Sequence, residues 1–225
     1  MTELELLDPP ASADPEPDST SRPRSLAHRN LRRDDFWRHL PAHAAVTAGE
    51  FHTHAFQARH TVTNVRQLRD TLRNRVPDSF YDDVLAGLKQ APMALRITPH
   101  LLGLIDWREP YTDPIRTQFL PVASQQAPNH PELRLDSLHE QKDSPVPGLT
   151  HRYPDKALFL PIDSCPVYCR FCTRSYAIGG DTDTVAKLKL SARPQRWEDA
   201  FAYIASRPEL EDIVISGGDT YNLKA

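Results

Sequence analysis

Ala157-Leu-Phe-Leu-Pro-Ile162, followed by Asp163-Ser164 and then Cys165-Pro-Val-Tyr-Cys169-Arg-Phe-Cys172, is the stretch whose reading decides the fold. Its first six residues are a short apolar run bounded by Asp155 and Asp163, as a buried strand requires. A loop bearing every cysteine of the chain follows at the strand's C-terminal end. Further on, Gly179-Gly180 breaks the chain, and Trp197, Ala200, Phe201 and Ile204 mark a helix from Trp197 to Ser206. Asp212-Ile-Val-Ile215 reads as a second buried strand ending in Ser216-Gly217-Gly218-Asp219. Strand, loop, helix, strand is a βαβ unit, so the fold class is α/β with a parallel sheet. Folds of that class bind ligands at strand C-terminal ends, where both the cysteine loop and the Gly-Gly-Asp turn fall.

The cysteines are spaced C-x-x-x-C-x-x-C. Buried core cysteines are a weak reading, because the run contains Pro, Tyr and Arg. An odd count and tight spacing disfavour a disulfide. Structural zinc takes four ligands, commonly in C-x-x-C pairs, and no His follows closely. Three thiolates so placed suit a [4Fe–4S] cluster, whose usual complement is four. An iron without a thiolate is open to a ligand. S-adenosylmethionine (SAM), a source of radical chemistry, can chelate such an iron through its amino and carboxylate groups.

Upstream, Pro9, Pro10, Pro15, Pro17 and Pro23 sit in a Ser/Asp/Glu-rich segment, so residues 1–30 are expected to be a disordered tail. Residues 31–150 read as a helical and extended-arm region. Phe36, Trp37 and Leu40 form a short amphipathic piece. Val65, Leu68, Leu72 and Val76 form a helix stripe closed by Pro77. Asp78-Ser79 reads as the N-cap of a helix placing Phe80, Val84, Leu85 and Leu88 on one face and ending at Pro92. His39, His43, His52 and His54 are expected in surface or packing roles. Leu138-His-Glu140 and Asp143 to Gly148 make a turn-rich lead-in. The 225 residues carry a net charge of −3, so neither nucleic acid nor an anionic membrane is an expected partner. No apolar run reaches membrane-spanning length. With no secretory signal, the expected location is the cytoplasm.

The run Thr150-His-Arg-Tyr-Pro-Asp155, Cys165 to Arg174, and Ser216 to Asp219 resembles the lysine 2,3-aminomutase family of radical-SAM enzymes. Leu95-Arg-Ile-Thr-Pro99, Asp113-Pro-Ile-Arg116 and Asp143-Ser-Pro-Val-Pro-Gly-Leu-Thr150 fit the same family, so the resemblance runs from about residue 63 onward. It implies a [4Fe–4S] cluster on Cys165, Cys169 and Cys172, and SAM cleaved to a 5′-deoxyadenosyl radical. With pyridoxal 5′-phosphate (PLP), that radical serves 2,3-amino migration on lysine or a related amino acid. Phe171 would pack near the adenosyl group, and Ser216, Gly217, Gly218 and Asp219 would receive the SAM amino group. Arg174 would grip the substrate carboxylate, as a bidentate arginine can. Arg152, Tyr153 and Lys156 would line PLP, with Lys156 standing where the family has Arg.

The same resemblance implies a partial (β/α) barrel whose start is residues 151–225. Only two strands are legible, and a full barrel takes about 250 residues. The barrel is therefore expected to be incomplete. Lys187, Lys189 and Lys224 match no PLP-lysine motif, and the substrate-choosing residues are expected beyond this sequence. The alternative is a truncated, non-catalytic fragment that at most binds the cluster and SAM. An amino-acid substrate and an external electron donor are the expected partners, with a homo-oligomer possible in principle.

Overall fold

The apolar run does form a strand in the computed structural model, which describes residues 34–223. The expected tail and Lys224 fall outside those residues. The sheet contains β1 (Leu149–Tyr153), β2 (Lys156–Ile162) and β3 (Asp212–Gly217), in the order β1-β2-β3. β2 and β3 are parallel, pairing Ala157 with Ile213 and Phe159 with Ile215. β1 was not legible as a strand. It pairs antiparallel with β2, Leu149 opposite Phe159 and Thr150 opposite Leu158, so the sheet is mixed and not purely parallel. Its five residues alternate poorly in polarity and turn into β2 at Pro154-Asp155, which masks the strand signal.

Helix α7 (Pro194–Ala205) crosses between β2 and β3, beginning three residues before the expected Trp197 because Pro194 suits the first helical turn. It covers one face of the sheet, packing Trp197, Ala200 and Ile204 against Leu149, Ala157 and Phe159. Period-two alternation and the register put Leu158, Leu160, Val214 and Ser216 on the other face. There the chain after the cysteines lays Tyr176, Ala177 and Leu190 over Leu160. β3 is not the buried strand expected. Val214 is 54% and Ile215 62% exposed, because among the described residues no strand pairs beyond β3.

The region before the sheet is built from helices α1 (Ala48–Phe51), α2 (His54–Arg59), α3 (Val65–Leu72), α4 (Asp78–Gln90), α5 (Pro99–Leu104) and α6 (Pro114–Phe119). Asn64 caps α3 by accepting the Gln67 N–H at 2.9 Å, and Leu68 and Leu72 face inward. α4 starts at Asp78 itself, so Pro77 and not Asp78 holds the cap position. Phe80, Tyr81 and Val84 are its buried stripe, while Leu85 rotates to the exposed flank. These helices close over a core that includes Leu102, Ile97 and Leu120. Phe36 and Trp37 lie in successive turns, and Trp37 stacks on Phe51 at 4.3 Å. His43 and His52 pack against aromatic rings, His43 on Phe56 and His52 on Trp37.

Arg116 of α6 is 0% exposed. Its guanidinium donates to the carbonyls of Pro110 (2.6 Å), Leu120 (3.1 Å) and Tyr111 (2.7 Å) and to Gln125 Oε1. Asp113 caps the same helix through the N–H groups of Ile115 and Arg116 at 2.9 and 2.8 Å. The Asp-Pro-Ile-Arg segment is thus a self-contained knot of satisfied polar groups beneath the cysteine loop. None of the described helices is long and apolar enough to cross a membrane.

Candidate cluster and amino-acid site

The cysteine loop leaves the end of β2 and is hung on the helical region. The Tyr168 N–H donates to the Arg96 carbonyl at 2.9 Å, and the Arg170 N–H to the Gln118 carbonyl at 2.9 Å. Arg170 Nη1 adds a bond to the Thr117 carbonyl at 2.9 Å. The Leu95–Pro99 and α6 segments therefore act as brackets for the loop. Behind it, the ammonium of buried Lys187 donates to the carbonyls of Pro92 and Ser175. Lys187 is thereby a structural tie.

All three cysteines are free and partly buried. Burial pushes the Cys165 thiol up to about 11; a bond with the Asp219 backbone opposes this, and Cys172, Asp219 and Cys169 add to it. Cys169 is raised by burial and then by Cys172. The three thiols are carried by one short loop. A metal held by these residues would reverse the effect, since a coordinating thiol is deprotonated outright. Among the described residues, no group of three or more His, Cys, Asp or Glu is gathered for a single metal ion. A zinc ion draws each of its sulfurs to about 2.3 Å. A [4Fe–4S] cluster spreads its thiolates over separate irons. Three soft donors on one loop are the kind of ligand that such a cluster takes.

The turn at the end of β3 lies directly against this loop. The Gly218 N–H donates to the Ile162 carbonyl at 2.7 Å and the Asp219 N–H to the Ser164 carbonyl at 2.9 Å. Gly217 has φ +106°, and a Cβ on Gly218 would stand 2.2 Å from the Ser164 oxygen. The glycines are needed so that backbone can meet backbone, a reason the sequence did not reveal. Asp219 Oδ1 accepts the Tyr221 N–H at 3.1 Å. Phe171 is 65% exposed beside the cysteines.

Arg174 lies on the same side. Its Nε and Nη2 fork onto Glu140 at 3.0 and 2.9 Å, and its Nη1 donates to Ser216 Oγ at 3.4 Å. The structure thus brings together Cys165, Cys169, Cys172, Arg174 and Ser216 to Asp219. Tyr153 and Lys156 stand at the other end of β2, roughly 20 Å away along the strand. Arg152 Nε donates to Asp143 at 2.6 Å, and Lys156 Nζ to Asp155 at 2.6 Å. Tyr153 is exposed between them. Two cations and a ring on one hairpin have the chemistry for a phosphate-bearing ring, which would compete with Asp143 and Asp155 for them. Glu140 is the residue that sequence reasoning missed. It stood in a turn-rich stretch, and no local pattern distinguishes a buried carboxylate from a solvated one.

No protein-family model matches the chain. Among curated proteins, the L-lysine 2,3-aminomutase of Clostridium subterminale is 36% identical over 176 residues, 77% of this chain and 39% of that protein. The L-lysine 2,3-aminomutase of Bacillus subtilis (strain 168) is 36% identical over 183 residues, 81% of this chain and 36% of that protein. The glutamate 2,3-aminomutase of Clostridioides difficile (strain 630) is 31% identical over 133 residues, 57% of this chain and 28% of that protein. The chain therefore spans about two-fifths of the length of the lysine relatives that it matches. With the motifs at one sheet end and this similarity across most of its residues, the chain belongs to the lysine 2,3-aminomutase family.

Proposed function

We propose that this segment is the cluster- and SAM-binding part of a radical-SAM 2,3-aminomutase acting on a free amino acid, lysine first among the candidates. The observation that carries the reading is the junction of two adjacent parallel strand ends. The loop bearing Cys165, Cys169 and Cys172 is hydrogen-bonded at Ser164 to the Gly217–Asp219 turn. When bound, the cluster supplies an electron to SAM, and PLP supplies stabilisation for the migrating amino group. The three cysteines hold the cluster, and Phe171 offers an exposed ring beside it. The turn presents backbone and the Asp219 carboxylate to an ammonium, and Arg174 presents a guanidinium to a carboxylate. Arg152, Tyr153 and Lys156 are the residues that the resemblance assigns to PLP; Asp143 and Asp155 are the present partners of the two cations, and Tyr153 and Lys156 stand at the far end of β2 from Arg174.

Catalytic turnover belongs, in this reading, to proteins of the length of the relatives, and the share of the present chain is binding. An external electron donor completes the reaction, and the cytoplasm is the compartment that suits it. Anaerobic reconstitution of the 225-residue chain with iron and sulfide tests the reading. A brown protein is expected, with an EPR signal on reduction that changes when SAM is added. Cys169→Ser is expected to lose both. A colourless product, or zinc retained at one equivalent, would overturn it.

A further inference from the structure

Glu140 is 5% exposed, an unusual place for a carboxylate. It is held there by a built turn. Asp136 accepts the N–H groups of Glu140 and Gln141, both at 2.9 Å, and His139 adopts φ +54°. A left-handed histidine carries a cost that persists only where surrounding contacts impose it. The turn aims the Glu140 carboxylate at Arg174, and the Tyr176 hydroxyl donates to Oε2 at 2.9 Å. Thr150 Oγ1 donates to the Glu140 carbonyl, tying the turn to β1.

A guanidinium has five N–H donors. Glu140 takes one from Nε and one from Nη2, the side edge of the fork. The second N–H of Nη2 and one of the two on Nη1 form the end edge, and Nη1 already reaches toward Ser216. Arg174 without Glu140 would swing about four rotatable bonds and could offer either edge. With Glu140 its planar group has one orientation, and one edge remains for an anion. Pre-set donors of this kind bind without the cost of ordering them.

We propose that Glu140 is the positioning residue for Arg174, occupying its side edge so that the end edge, beside Ser216, meets the α-carboxylate of an amino-acid ligand. The inference rests on the reading of Arg174 as a carboxylate-binding residue. Both SAM and a substrate amino acid carry that carboxylate, so the test has two arms. Binding to the anaerobically reconstituted chain is measured by calorimetry for SAM against its decarboxylated form, and for L-lysine against cadaverine. Because the cluster iron also takes the carboxylate of SAM, the arm whose preference depends on Arg174 identifies the ligand that Arg174 meets.

Glu140→Gln keeps the shape but loses the charged fork, and is expected to reduce that preference roughly tenfold while the decarboxylated ligand binds as before. Glu140→Asp, one methylene too short to span the fork, is expected to do the same and serves should the first variant fold poorly. Arg174→Gln is expected to abolish the preference, with the double variant no worse. Equal weakening of both ligands by the Glu140 variants would mean a structural role alone and overturn the proposal. So would a preference intact in the Glu140 variants but lost in Arg174→Gln, which leaves the Arg174 reading standing. A wild-type chain without preference, or Arg174→Gln that retains it, removes the Arg174 reading and the proposal with it.

Discussion

Single atoms decide whether the candidate site holds together. Gly218 has no room for a side chain, its position being filled by the Ser164 backbone. Gly218→Ala is therefore expected to separate the β3 turn from the cysteine loop, at about 2 kcal/mol in urea unfolding. A variant as stable as the wild type would show that the contact is loose. Arg116 and Arg174 make a different point, since both are arginines in family-like motifs. One is consumed by backbone carbonyls and the other keeps an edge to offer. Residue type alone reads both as positive charge. What separates them is which acceptors the fold brings to each guanidinium.

Among the elements, the short helices α1 and α2 carry a cluster of rings and histidines. His43 lies against Phe56 and His60, and burial followed by the His60 charge lowers its pKa. An unfolded chain then binds a proton more readily than the folded one below about pH 6.5. The stability from keeping His43 neutral is present above that pH and is lost as the pH falls through the lowered value. The thermal midpoint of the wild type is expected to fall between about pH 7 and pH 5.5 more than that of His43→Phe. Equal falls would count against it. The helix stripes of α3 and α4, the βαβ crossover and the cysteine loop were legible, because periodicity and turn residues are local. β1 was not, since a short mixed-polarity run becomes a strand only once β2 is there to pair with it. Nor was Glu140, whose partner lies 34 residues on.

Across the molecule, the free side of β3 is the conspicuous surface. Phe159, Trp197, Phe201, Ile215 and Tyr221 line an apolar depression there, next to a strand edge with no further partner among the described residues. Unpaired edges beside apolar surface drive self-association. The chain is expected to sediment with a concentration-dependent mass in the micromolar range. Ile215→Lys is expected to shift it toward monomer without changing its helical signal, as an edge lysine does. A wild type monomeric throughout would refute this. The same strand is stitched at its tip to Ser164, one residue before Cys165. The open flank of the sheet and the first sulfur donor are thus near neighbours along one strand tip, with two backbone hydrogen bonds between them.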